Sequence, residues 1–200
     1  MLPFFQGKID NFCAIYAVLN AVQLLCKINA ITARSIFNET MLEISRDYYA
    51  FKAVLEHGTD YMELVDQMLE KMCIRYGLLA FAPFGTAQSP EKIWSVLTEY
   101  ARPDLGRCAV FRFLRYEALH TTPMADHWTT SDKIDSEGLR LFDERLSAQL
   151  WILHSQLQRG CSIGTSRRAW RILARAESDK TTRPESACLR RLRKNIAVAH

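Results

Sequence analysis

Apolar residues recur at helical spacing in the first half of this chain and at strand-like spacing in much of the second half. The residues after Cys13 are almost all apolar, which predicts a helix from Cys13 to Cys26 that is buried on most of its surface. The spacing from Ser35 to Leu55 predicts one or two more helices, and Asp60 is expected to cap another helix over Tyr61 to Met72. The first part of the chain is therefore predicted to be helical.

The middle of the chain mixes the two patterns. The stretch from Ile74 to Phe84 fits either a strand or an apolar loop. Pro90 suits the first turn of a helix that runs to about Tyr100. The stretch from Arg107 to Arg115 has strand character, carried by Cys108, Val110, Phe111 and Phe113.

A hairpin is predicted next, with strands from His127 to Ile134 and from Leu139 to Asp143 around a turn at Asp135 to Gly138. Farther on, Ser147 to Leu157 fits a helix or a strand that covers the sheet edge, and Ala169 to Ala176 fits a final strand or a short helix. Helices come first, strands follow, and no βαβ alternation is visible. The expected fold class is therefore α+β with an antiparallel sheet.

Composition indicates an ordinary globular protein. The chain has 200 residues, of which 48% are hydrophobic and 24% charged, and this suits a single domain. No apolar run reaches the ~18 residues of a membrane-spanning helix, and the first residues lack the pattern of a signal peptide, so no membrane association is expected. The six cysteines form no CxxC pair, which favours a reducing, cytoplasmic setting. The five histidines are never at ligand spacing from a cysteine, so neither a metal site nor a cofactor is predicted.

The formal net charge of +4 is held unevenly. Eleven Arg or Lys residues and three acids lie between Arg159 and His200, whereas the earlier part is slightly acidic. We expect a domain over residues 1–176 and a basic, flexible tail over residues 177–200. Such a tail is able to contact nucleic acid or an acidic partner, although a solvated chain end is the simpler interpretation.

Cys13 stands where a polar loop passes into the apolar helix. Asp10 and Asn11 are good N-cap residues, and the N–H groups and positive dipole end of a first helical turn stabilise a thiolate. Gln6 carries a side-chain amide that is able to donate to an oxyanion beside the sulfur. A buried structural cysteine is the common alternative at such a position, so a nucleophilic Cys13 requires a base elsewhere in the chain.

His127 opens the predicted hairpin and Asp143 closes it, so the two side chains are expected side by side. An imidazole there would take the thiol proton, and the carboxylate would orient the ring and stabilise its charged form. Alternatives remain open, although no rival histidine precedes a strand-like run that ends in an aspartate. They are His57, His120 and His154 for the base, and Asp126 and Asp132 for the third member.

These motifs together resemble the papain-like cysteine peptidases. The chain has Gln-x6-Cys at a helix start, His-Trp at a strand start and Leu-Phe-Asp at the end of the next strand. Within that superfamily it is similar to the compact bacterial C39-like type, over the span from Gln6 to Asp143 and densely only at its two ends. Papain follows its nucleophile with tryptophan and uses asparagine as the third member, whereas this chain has Ala14 and Asp143.

The resemblance implies a central buried helix that carries the nucleophile, followed by an antiparallel sheet that carries the base and the third member. It also implies a cysteine hydrolase that cleaves a peptide or amide bond of a peptide or protein substrate through a thioester acyl-enzyme. Peptidases, glutamine deamidases and acyl transferases share this constellation. The alternative is a catalytically inactive papain-like module that binds a protein or nucleic-acid partner through the basic tail.

Overall fold

The helices of this chain precede most of its strands, as the hydrophobic pattern predicts. A computed structural model describes residues 3–4, 12–56, 61–83, 89–100, 102, 105–115, 125–134, 138–142, 151–153 and 170–175. The helices in these ranges are α1 (Cys13–Cys26), α2 (Ala30–Ile44), α3 (Tyr48–Leu55), α4 (Met62–Tyr76) and α5 (Pro90–Tyr100). The strands are β1 (Leu78–Phe81), β2 (Arg107–Arg115), β3 (Ala125–Ile134), β4 (Gly138–Leu141), β5 (Trp151–Leu153) and β6 (Trp170–Arg175). None of the helices in the described ranges is long and apolar enough to cross a membrane.

All six strands belong to one sheet in the order β1-β6-β2-β3-β4-β5, and every neighbouring pair is antiparallel. The expected α+β class with an antiparallel sheet is therefore confirmed. The stretch after Ser147, for which a helix or an edge strand was expected, forms β5 at the sheet edge. Within the stretch from Ala169 to Ala176, for which a final strand or a short helix was expected, Trp170–Arg175 forms β6. This strand lies between β1 and β2 inside the sheet.

Helix α1 crosses one face of the sheet, and three contacts fix its direction. The Thr130 hydroxyl of β3 donates to the Ala17 carbonyl at 2.6 Å, one turn before the Cys108 thiol of β2 meets the Ala21 carbonyl at 4.0 Å. One turn later, the Arg175 guanidinium of β6 donates to the carbonyl of Leu25. The helix thus runs diagonally from β3 over β2 to β6.

Two apolar layers cover the two faces of the sheet. On the face that carries α1 and α4, the core includes Cys108, Val110, Trp128 and Leu173. Helix α5 also packs against β2, but its buried residues are not part of that core. It therefore covers the opposite face, to which Phe111, Phe113 and Ile172 point because side chains alternate along a strand.

Two helix starts differ from those expected. Helix α2 begins at Ala30, five residues before the expected Ser35, because the Asn29 side chain caps it by accepting from the Thr32 N–H at 2.9 Å. Helix α4 begins at Met62. The preceding residue, Tyr61, has a left-handed backbone conformation and makes no side-chain cap hydrogen bond, so the prediction that the helix already includes Tyr61 is wrong. Asp60, the expected cap, lies outside the described residues, as does the tail over residues 177–200.

Candidate active site

Cys13 is the first residue of α1, as the sequence predicts. The N-cap residue is Phe12, which makes no side-chain cap hydrogen bond; the expected caps, Asp10 and Asn11, lie outside the described residues. The first helical backbone bond runs from the Tyr16 N–H to the Phe12 carbonyl, so the N–H groups of the first turn have no acceptor within the helix. The side chain of Cys13 therefore lies at the positive end of the helix dipole.

Aromatic contacts hold this end of α1 in place. The Phe37 ring of α2 lies 5.6 Å from the rings of both Phe12 and Tyr16, measured between centroids. Cys13 itself is only 3% exposed and belongs to the core that α1 shares with the sheet. The first turn of α1 is therefore held against α2, and the side chain of Cys13 lies within the core.

His127 is the third residue of β3 and is 7% exposed. It pairs with Phe113 of β2, and the two rings meet edge to face with their centroids 5.5 Å apart. The neighbouring Phe111 ring lies 6.5 Å from Phe113 on the same side of β2. The imidazole is therefore part of an aromatic row on β2 and β3.

Cys13 and His127 lie toward the same end of the helix–sheet interface. The contact between Ala17 and Thr130 aligns α1 with β3, and the later contacts of α1 show that the helix and β3 advance in a similar direction. Cys13 precedes Ala17 by four residues, about 6 Å along a helix, and His127 precedes Thr130 by three residues, about 10 Å along a strand. Both residues thus lie on the same side of this anchor.

The two side chains nevertheless leave the sheet on different faces. Trp128 and Thr130 point to the face that carries α1, since Trp128 belongs to that core and Thr130 hydrogen-bonds to Ala17. Side chains alternate along β3, and its pairing with β2 is regular from Ala125 to Ser131. His127 therefore points to the opposite face. The structure brings Cys13 and His127 to one end of the interface but does not place them on one face.

The other two predicted site residues, Gln6 and Asp143, lie outside the described residues, but a described residue stands close to each in the chain. Phe4 precedes Gln6 by two positions, and Phe142 directly precedes Asp143. The buried side chain of Asn20 on α1 hydrogen-bonds to both. Sequence reasoning missed Asn20, although a polar residue inside so apolar a helix signals a buried group that requires partners.

Burial acts on the pKa of the other three thiols among the described residues. Burial raises the pKa of Cys26, which the nearby Arg175 charge partly opposes. Burial likewise raises the pKa of Cys73, and that of the fully buried Cys108 rises much further. These thiols are therefore poor nucleophiles at neutral pH.

Of the alternative residues for the base and the third member, the structure describes only two. His57, His120 and His154 lie outside the described residues, whereas Asp126 and Asp132 belong to β3. Within the described ranges, no three His, Cys, Asp or Glu side chains cluster closely enough to hold a metal ion.

No model of a known protein family matches this chain, and neither does any curated protein.

Proposed function

We propose that this chain is a papain-like cysteine hydrolase that cleaves a peptide or amide bond. The observation that supports it most is the position of Cys13, at the first residue of a buried helix that crosses an antiparallel sheet. The N–H groups of this first turn have no acceptor within the helix, and helix N-termini are where reactive cysteines commonly lie. The predicted base, His127, stands near the start of β3, toward the end of the interface where α1 begins.

In the proposed reaction the imidazole of His127 takes the proton of the Cys13 thiol, and the sulfur attacks the carbonyl carbon of the substrate. The backbone N–H of Cys13 and the side-chain amide of Gln6 stabilise the oxyanion. The leaving amine takes the proton from the imidazolium, and water then hydrolyses the thioester. Asp143 orients the imidazole and stabilises its charged form. No cofactor is required.

This chemistry sets a geometric condition. His127 lies only two residues from the start of β3 at Ala125, and its side chain leaves the face opposite to α1. The imidazole must therefore meet the sulfur around the end of the strand rather than across the sheet.

A second candidate is an inactive papain-like module that binds a protein or nucleic-acid partner. One specific observation favours it: Cys13 is almost fully buried, and His127 points to the other face of the sheet. In such a module Cys13 is a small apolar core residue and His127 is part of the aromatic row beside Phe113. The basic tail would then supply the binding surface.

Thiol reactivity separates the two candidates. The native protein is treated with iodoacetamide between pH 5 and 9, and the labelling rate of each cysteine is measured by mass spectrometry. A catalytic Cys13 labels at least tenfold faster at pH 6 than Cys26 or Cys73, whose raised pKa values make them internal references. His127→Ala is expected to remove that lead, whereas His57→Ala is the matched histidine control.

The inactive module gives a different result. Cys13 then labels no faster than Cys26, and His127→Ala changes nothing beyond stability. Loss of the lead in His57→Ala but not in His127→Ala would instead reassign the base. Binding of nucleic acid that weakens with salt and is lost on removing residues after Arg175 would support the module directly.

A further inference from the structure

Asn20 joins three separate parts of the chain through one buried side chain. It lies on α1, is 3% exposed, and its Oδ1 accepts from the Phe4 N–H at 2.7 Å. Its Nδ2 donates to the Phe4 carbonyl at 3.4 Å and to the Phe142 carbonyl at 3.3 Å. The amide therefore holds the segment before α1 and the end of the β3–β4 hairpin against the same helix.

Phe142 is held at both ends of its backbone. Its N–H donates to the Thr130 carbonyl of β3 at 2.7 Å, and its carbonyl accepts from Asn20. The backbone of Phe142 is thus fixed relative to both the strand that carries His127 and the helix that carries Cys13. Phe4, held by two hydrogen bonds, fixes the chain two residues before Gln6 in the same way.

Asn20 also has a defined relation to Cys13. Seven residues separate them on α1, which is about two helical turns or ~10 Å, so both lie on nearly the same side of the helix. Buried amides are retained where their partners satisfy them, and each bond here reaches a backbone group in another segment. We propose that Asn20 is a positioning residue: it holds Phe4 and Phe142, the described neighbours of the candidate oxyanion donor Gln6 and the candidate triad member Asp143, in a fixed relation to Cys13. This inference rests on the proposed hydrolase function.

Two substitutions separate the contact of Asn20 with Phe4 from its contact with Phe142. Asn20→Ala removes all three hydrogen bonds. Asn20→Asp keeps an acceptor for the Phe4 N–H but loses both donors, so the Phe142 carbonyl loses its contact with α1. Thr130→Val is the matched control, because it removes a buried hydrogen bond between the same helix and β3 without touching Phe4. If Asn20→Ala does not fold, Asn20→Asp still tests the Phe142 contact.

Two readouts are measured on the full chain. Amide hydrogen exchange followed by NMR reports the Phe4 N–H, with the Val18 N–H inside α1 as reference. Iodoacetamide labelling from pH 5 to 9 reports Cys13, and its pH profile depends on the imidazolium that Asp143 would stabilise. A purely structural role lowers stability but leaves that pH profile in place.

The expected results differ between variants. Asn20→Ala raises the exchange rate of the Phe4 amide at least tenfold and lowers Cys13 labelling at pH 6 at least tenfold, with the midpoint of the profile shifted upward. Asn20→Asp keeps Phe4 protected but shows the same loss of labelling at pH 6. Thr130→Val leaves both readouts within twofold of the wild type.

The outcomes distinguish the two proposals. If wild-type Cys13 labels fast and both Asn20 variants label equally fast with an unchanged pH profile, the positioning role is overturned while the hydrolase proposal stands. If wild-type Cys13 labels no faster than Cys26, the hydrolase proposal fails and the positioning role falls with it. If Thr130→Val loses labelling as strongly as Asn20→Ala, the effect is general destabilisation and the positioning role is overturned.

Discussion

The ion pair between Arg171 of β6 and Asp66 of α4 offers a sharp test of how the sheet is held to its helices. The guanidinium donates to both carboxylate oxygens, at 2.6 and 2.7 Å. The side chain of Arg171 is only 10% exposed, whereas that of Asp66 is 52% exposed. Asp66→Asn keeps the size and helix propensity of the side chain but removes its charge and turns one acceptor into a donor.

The burial of the two partners sets the expected cost. Breaking a fully buried ion pair costs about 3–5 kcal/mol, whereas an exposed pair contributes about 0.2–1 kcal/mol. This pair lies between those limits, because the guanidinium is covered while water reaches the carboxylate. We expect Asp66→Asn to lower the free energy of unfolding by about 2 kcal/mol. Arg171→Met should cost about 1 kcal/mol or less, since it leaves a hydrated carboxylate and an apolar core residue.

Urea unfolding followed by tryptophan fluorescence measures these differences. The double variant should recover about 1 kcal/mol of the Asp66→Asn loss, because the buried charge is then gone. Glu56→Gln is the control: it breaks the exposed pair between Lys52 and Glu56, at 3.8 Å, and should change stability by less than about 0.5 kcal/mol. If Asp66→Asn costs no more than this control, or if the two single losses simply add, the reasoning from burial is wrong.

Three further predictions concern single residues. The buried Oε1 of Gln23 has no hydrogen-bond donor among the described residues, so Gln23→Met should raise the free energy of unfolding by about 1 kcal/mol in urea; a loss would indicate a partner elsewhere in the chain. Gly77 ends α4 with φ +63° and open space around a Cβ, so Gly77→Ala should cost about 1 kcal/mol by thermal unfolding, from backbone strain alone, and no loss would refute the left-handed cap. Burial raises the pKa of Cys108 above the ordinary 9.0, so its contribution to stability is complete below pH 9.0 and is lost as the pH rises toward the folded value. The stability difference between wild type and Cys108→Ala should therefore shrink from pH 8 to pH 10.5, and a constant difference would contradict this.

The hydrophobic pattern of the sequence was enough to predict the helices and strands that are determined by residues close together in the chain. The dense apolar run after Cys13 gave α1 with both of its ends, and Pro90 marked the start of α5. The strand β2 also matches its predicted bounds. These elements are set by periodicity and by the special backbone of proline, and both are visible in a short window of sequence.

The pairing of strands that lie far apart in the chain could not be predicted from such short stretches of sequence. The stretch around Trp170 reads equally well as a strand or a short helix, and its place inside the sheet follows from pairing with β1 and β2, far away in the chain. The orientation of His127 has the same origin. The run His-Trp-Thr-Thr-Ser has no clear alternation of apolar and polar residues, so only the register against Phe113 shows which face each side chain takes.

The inner position of β6 also has a consequence for synthesis of the chain. The ribosome synthesises β1 and β2 well before residues 170–175. The edges of these two strands that pair with β6 therefore stay unpaired until β6 is inserted between them. At about 5–20 residues per second, the interval between Arg115 and Trp170 lasts on the order of several seconds. Nascent chains are thus exposed to edge-to-edge association with one another during translation. A truncation ahead of Trp170 would make that exposure permanent rather than yield a smaller domain.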